Sequence, residues 1–295
     1  MDRKYAARAA GAVLSFLVCR VLAYFFSAAV ESLPALAHTS ASVSTLVSAF
    51  SAALAAILAA ALCFGLSRFG ICRVSSPGDG FGEGAEEREL SLPCSGSGKR
   101  TVAASHVAAC KRTSAASRTA VFAAVCASLA LLLTFDAALA LLIPAEAPPL
   151  TVTDAAVSMT VYPLSEEFLY RGAMMYLLLP PEYGKDRRCA VCAVAVESLL
   201  FAAAHPLPSV PTAALAGAVF GALSLMTGKG GAMRKFPAVA AAAHILYNGV
   251  VCLTRVLPGK LGMDGRFASP VIAFAAAAVF AAAAMLICAK IKKES

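Results

Sequence analysis

Long apolar runs separated by short polar turns dominate the chain. A helix needs about 20 mainly apolar residues to cross a bilayer. Eight stretches approach or exceed that length: 9–30, 42–66, 119–143, 153–179, 189–205, 210–227, 236–257 and 268–289. The fifth and sixth are short and separated by PLPSVP, whose prolines end helices and favour a tight turn. The pattern predicts an all-α fold, a polytopic membrane helix bundle of about eight transmembrane helices. One segment interrupts it. Residues 67–118 carry SSPGDGFGEGAEERE and CSGSGKR, rich in glycine, serine and mixed charge, which is the composition of a flexible cytoplasmic loop. The expected organisation is a transmembrane hairpin over 1–66, the loop over 67–118, a transmembrane bundle over 119–289 and a basic tail over 290–295.

Composition supports the membrane class. The chain is 60% apolar and only 14% charged, with a mean hydropathy of +0.77. A soluble domain of this size could not cover that much apolar surface. The net charge of +8 would suit a nucleic-acid partner, but its placement argues for lipid instead. Of the 25 basic residues, 20 fall before span one, on alternate loops, or in the tail. The opposite loops hold only Arg255, Lys260 and Arg266. By the positive-inside rule both termini face the cytoplasm, and the basic loops meet anionic lipid. No nucleic-acid partner is expected. The start, MDRKYAARAAGAVLSF, looks like a signal peptide, but the long apolar run and Arg20 within it favour an uncleaved first span. Ten scattered cysteines form no disulfide framework, and Cys189 and Cys192 make a lone CxxC.

Ionisable groups inside a span are costly and mark candidate sites. They are Arg20, Asp136, Glu166, Glu167, Arg171, Glu197, His205 and His244. Helical spacing sorts them. Glu167 and Arg171 are four apart, on one face, and suited to an ion pair. Glu166 is rotated roughly 100° away and left available. Phe201 shares a face with His205, and His244 shares one with Asn248. Measured from the cytoplasmic boundary, Glu166 and His205 lie roughly 21 and 24 Å along their spans, His244 and Asn248 about 12 and 18 Å, which permits one shared polar layer. Glu197 is expected to pair with an arginine or to sit near the cytoplasmic interface. Arg20 and Asp136 form a candidate pair between spans one and three, although Arg20 reaching toward water is the simpler reading. Gly217 and Gly221 form a GxxxG that lets another helix approach closely.

A buried carboxylate and a histidine can activate water, and a histidine beside an asparagine amide can hold a developing oxyanion. Those are the requirements of amide hydrolysis. Equally, Glu166, His205 and His244 are three residues of the types that ligate zinc, with a fourth position left for water. Spacing alone does not separate the two. The chain lacks HExxH, and no serine has a recognisable nucleophile setting.

The residues themselves bring a resemblance. EEFLYR at 166–171 resembles the EExxxR motif of the CPBP family, the CAAX prenyl protease and bacteriocin-processing membrane proteins also called Abi. FAAAH at 201–205 is similar to its FxxxH motif and HILYN at 244–248 to its HxxxN motif, placing a family-like core over about 153–257. The resemblance implies an intramembrane endopeptidase that hydrolyses a peptide bond of a membrane-associated protein or peptide, prenylated or bacteriocin-like. Glu166 and His205 would activate the water, His244 and Asn248 would hold the oxyanion, and Glu167 and Arg171 would support the site. The family is named for metalloproteases, and a glutamate-dependent mechanism without metal has also been described for it, so a divalent metal such as zinc and no metal at all both stand. The expected setting is the cell membrane. The alternative is a non-catalytic peptide-binding, scaffold or immunity protein of the same fold; a proton-relaying transporter comes third, for want of an internal repeat.

Overall fold

A computed structural model describes residues 3–31, 41–68, 99–143, 150–179, 187–227 and 237–294. Among these residues every regular element is helical, and the chain is a polytopic helix bundle. In order they are α1 (Arg3–Glu31), α2 (Ala41–Arg68), α3 (Lys99–Leu142), α4 (Val152–Met159), α5 (Val161–Glu166), a π-helical stretch (Glu167–Met174) and α6 (Met175–Leu178). Then come α7 (Arg187–Ala203), a 3-10 turn (Leu207–Ser209), α8 (Val210–Thr227), α9 (Ala238–Lys260) and α10 (Gly265–Glu294). Among the described residues five helical stretches are long and apolar enough to cross a membrane: Arg8–Phe26, Arg118–Leu142, Leu207–Met226, Ala238–Lys260 and Gly265–Lys293. Exposed apolar side chains such as Phe50, Val279 and Leu286 cover the outer faces, the ordinary state of helices whose solvent is hydrocarbon.

Three features depart from the sequence expectations. Helix α3 begins at Lys99, so the second part of the segment expected as loop is helical, whereas residues 69–98 of that loop lie outside the described residues. Alanine dominates 101–120, and neither glycine nor proline interrupts it, which suits a helix. The fourth span is not one continuous α-helix. Pro163 is buried and has no N–H, and its ring would clash with the carbonyl four residues back, at Met159. Helix α4 accordingly stops at Met159, and Thr160, with φ −124° and ψ −63°, turns the chain into α5. Asp136, third, accepts from Thr212 Oγ1 of α8 at 3.3 Å, and Arg20 is exposed on α1.

The ends of α4 and α9 are chemically fixed. Thr151 and Asp154 form a reciprocal capping box at the start of α4, and Thr45 of α2 donates a hydrogen bond to the same Asp154 carboxylate. Helix α9 closes on Gly262, whose φ of +66° lets Met263 N reach Pro258 O at 2.9 Å and Gly262 N reach Gly259 O at 3.4 Å. This is a Schellman stop, which glycine adopts without the Cβ penalty.

The site is positioned by the packing of α7 against α8, with the π-helical stretch and α9 beside them. The GxxxG expectation describes this contact. A Cβ on Gly217 would lie 2.8 Å from Ser198 Cα, and one on Gly221 would lie 3.2 Å from Glu197 Oε2. Gly217→Ala is therefore expected to overpack the α7–α8 seam and lower stability by about 1–3 kcal/mol. Gly259→Ala, whose Cβ would meet nothing within 4 Å, serves as the neutral control. Unfolding midpoints of the purified proteins in detergent check both.

Candidate active site

The fourth span brings its charges to the interior through an unusual backbone. From Glu167 to Met174 the helix is π-type, a widened turn that occurs mostly as short insertions, frequently at functional sites. It holds Glu167, Leu169, Tyr170, Arg171, Ala173 and Met174 buried on one segment. The Glu167 side chain is 0% exposed, and that of its neighbour Glu166 is 28% exposed. The two carboxylates thus divide as their spacing suggests, one enclosed and one able to meet a ligand.

Glu167 is the hub. Its Oε1 accepts from Arg171 Nη1 at 2.9 Å and lies 2.9 Å from His244 Nδ1 on α9. The sequence expectation of an ion pair between Glu167 and Arg171 is met, with a histidine from another helix on the same oxygen. A carboxylate oxygen accepts only, so the contact requires a proton on Nδ1 of His244. Nε2 is then left for a second contact and lies 3.7 Å from Glu166 Oε2. The imidazole stacks on Phe220 of α8, with ring centroids 4.7 Å apart.

Arg171 is enclosed from several sides. Glu167 takes Nη1, Gly217 O accepts from Nη2 at 3.3 Å, and Glu197 Oε1 lies 3.2 Å from Nε. Phe201 covers the guanidinium, its centroid 4.4 Å from Cζ, a cation–π geometry. Glu197 is 0% exposed. Of its two expected positions, the structure therefore gives the arginine pair and not the interface.

His205 lies at the end of α7. Its Nδ1 is 2.8 Å from Phe201 O, and a carbonyl partner requires a proton there, leaving the Nε2 lone pair available. Phe201 touches both histidines, with centroids 4.7 Å from His205 and 6.0 Å from His244. Among the described residues Glu166 meets His244 and makes no ion pair or hydrogen bond with His205. Sequence spacing assigns each motif to a helix but not which imidazole faces which carboxylate. Asn248, one turn beyond His244, donates Nδ2–H to Ser158 O at 2.8 Å, tying α9 to α4. An amide nitrogen carries two N–H groups, so one remains for another acceptor.

The proposed zinc set can be tested against this geometry. Among the described residues no three His, Cys, Asp or Glu side chains converge as metal ligands. Glu166, His205 and His244 in their present positions do not form such a set. Sequence reasoning missed the hydrogen bond between Glu167 and His244. The only available signal was that both residues belong to the same family-like motif set.

Residues 148–250 match the family model described as type II CAAX prenyl endopeptidase Rce1-like. The resemblance carried by the three motifs is thereby borne out over that segment, which contains every residue of the network. At the level of that family it supports an intramembrane endopeptidase, and with the apolar helices it supports an integral membrane protein. No match was found among curated proteins or among solved structures.

Arg171 faces two buried carboxylates, so removing its charge leaves both uncompensated. Arg171→Leu is expected to lose about 3–5 kcal/mol of stability, the range for breaking a buried pair from one side. Arg171→Lys is expected to lose less, because an ammonium keeps the charge but not the forked geometry. Denaturant unfolding of detergent-solubilised protein measures both.

Proposed function

We propose that this chain is an intramembrane endopeptidase of the CAAX prenyl protease type, cutting a peptide bond of a membrane-associated protein or peptide with water activated by Glu166. The observation that carries the reading is the contact of His244 Nδ1 with buried Glu167, which turns Nε2 toward the half-exposed Glu166. That arrangement lies within the segment matching the family. A structural ion pair alone would need Glu167 and Arg171, and would leave the position of Glu166 without a purpose.

In this mechanism Glu166 takes a proton from water while the water oxygen attacks the carbonyl carbon of the scissile amide. His205, its Nδ1 held by Phe201 O, presents the Nε2 lone pair to orient that water. Charge moves to the carbonyl oxygen, where the remaining N–H of Asn248 and the protonated Nε2 of His244 donate to it. Glu166 returns the proton to the amide nitrogen as the C–N bond breaks, so an amine and a carboxylic acid leave. Glu167 and Arg171 hold His244 throughout. Substrates of matching chemistry are prenylated C-terminal tails and bacteriocin-like peptides at a cell membrane, with both termini of the enzyme cytoplasmic.

The test is cleavage of a prenylated C-terminal peptide by purified protein in liposomes, read as release of the C-terminal fragment. Glu166→Ala and His205→Ala are each expected to lower kcat by about 10²–10⁴-fold, the usual range for a general acid–base group. Wild-type rates in both variants would sink the assignment. A chelator arm is run in parallel, and loss of activity restored by added zinc would replace the metal-free route with a metal-dependent one.

A further inference from the structure

Glu197 belongs to none of the three motifs, yet it is as deeply buried as Glu167. Neither of its carboxylate oxygens has a hydrogen-bond partner among the described residues. Burying such a group is costly unless a compensating charge is near. That charge is Arg171, whose Nε lies 3.2 Å from Oε1. The other oxygen occupies the notch left by the missing side chain of Gly221, where a Cβ would stand 3.2 Å away. Phe201 follows Glu197 by one helical turn and covers the face of the same guanidinium. Helix α7 therefore presents a carboxylate to the edge of Arg171 and a ring to its face.

We propose that Glu197 is a positioning residue for the hydrolytic reaction. It holds Arg171 at Nε while Glu167 takes Nη1, and Arg171 in turn fixes the Glu167 oxygen that receives His244 Nδ1–H. The influence of Glu197 on the chemistry runs through that chain: Glu197 to Arg171 to Glu167 to His244. A merely structural carboxylate would affect only how firmly α7 packs on α8. A positioning one also sets the orientation of Nε2 relative to Glu166. This inference rests on the proposed site at Glu166 and His244.

Two readouts test it, one of them needing no substrate. In protein labelled with ¹⁵N-histidine, which has four histidines, the Nδ1–H proton of His244 is expected to be observable and slow to exchange. Glu197→Ala is expected to broaden it or speed its exchange at least tenfold. Glu197→Gln, which keeps the shape and one acceptor oxygen, is expected to restore it in part. In the cleavage assay Glu197→Ala is expected to reduce kcat about 10- to 100-fold with KM changed less than threefold. Glu197→Gln should fall between that variant and wild type.

Gly221→Ala supplies an independent arm, because it pushes on the Glu197 carboxylate without removing it. Its kcat loss should shrink in the Glu197→Ala background, where the crowded group is gone, as expected for coupled neighbours. A wild-type His244 signal and wild-type kcat in Glu197→Ala would overturn the proposal. So would a loss of activity fully accounted for by the fraction of unfolded protein, measured on the same samples. Glu166→Ala is assayed alongside. Its inactivity with unaffected Glu197 variants refutes the positioning role alone, whereas a fully active Glu166→Ala refutes the underlying site.

Discussion

A guanidinium buried between two carboxylates is the constraint around which the rest of the structure is arranged. Arg171 cannot reach water, so its charge must be met inside the bundle, and it is met by Glu167 from its own segment and Glu197 from α7. Each contact makes a demand on the fold. Gly217 offers a backbone carbonyl to Arg171, and the same position, lacking a Cβ, lets α7 and α8 approach closely. Phe201 and Phe220 supply aromatic faces to the same cation, and both rings also bear on His244. The arginine thus joins the packing of three elements to the orientation of one imidazole.

The fourth span shows what this arrangement asks of the backbone. A regular α-helix would run from 153 to 179 without interruption. Instead, Pro163 breaks it near the start, and a π-helical stretch carries the charged residues. A π turn changes the angular relation between residues before and after it, so its register decides which side chains converge inward. Leu177, Leu178 and Leu179 at the far end are almost completely buried, and they close that end of the segment. The polar cluster therefore sits between an irregular entry and an apolar floor.

How much of this was legible in the sequence differs from residue to residue. Apolar run length gave the helices, since a bilayer imposes that length directly. The pairing of Glu167 with Arg171 followed from i,i+4 spacing, which survives the change to π geometry. The close approach at Gly217 followed from the GxxxG pattern. The partner of Glu166 was not legible, because spacing within a helix says nothing of how helices are rotated against one another. His244 and Glu167 are 77 residues apart in sequence, and only the packing of α9 brings them together. The π-helical stretch has no local signature in EFLYRGAM, whose residues would all fit an ordinary helix. The helical start of α3 was hidden by the polar composition of its neighbours, although its own alanines favour a helix.

The two histidines share a design with a chemical consequence. Each has its Nδ1 committed, His205 to a backbone carbonyl and His244 to a carboxylate, and each leaves Nε2 outside that contact. The partners differ in charge. A neutral carbonyl fixes the tautomer of His205 and leaves it a lone-pair acceptor. Glu167 fixes the tautomer of His244 as well, but through an oxygen that carries charge and also accepts from Arg171. In the proposed route His244 holds one position while it donates to the carbonyl oxygen, and Glu166 carries the proton. Hydrolysis of an amide makes that demand, because charge appears on the carbonyl oxygen and then disappears. The buried carboxylate beside His244 thereby connects the cost of burying charge in a membrane to the requirement of the reaction.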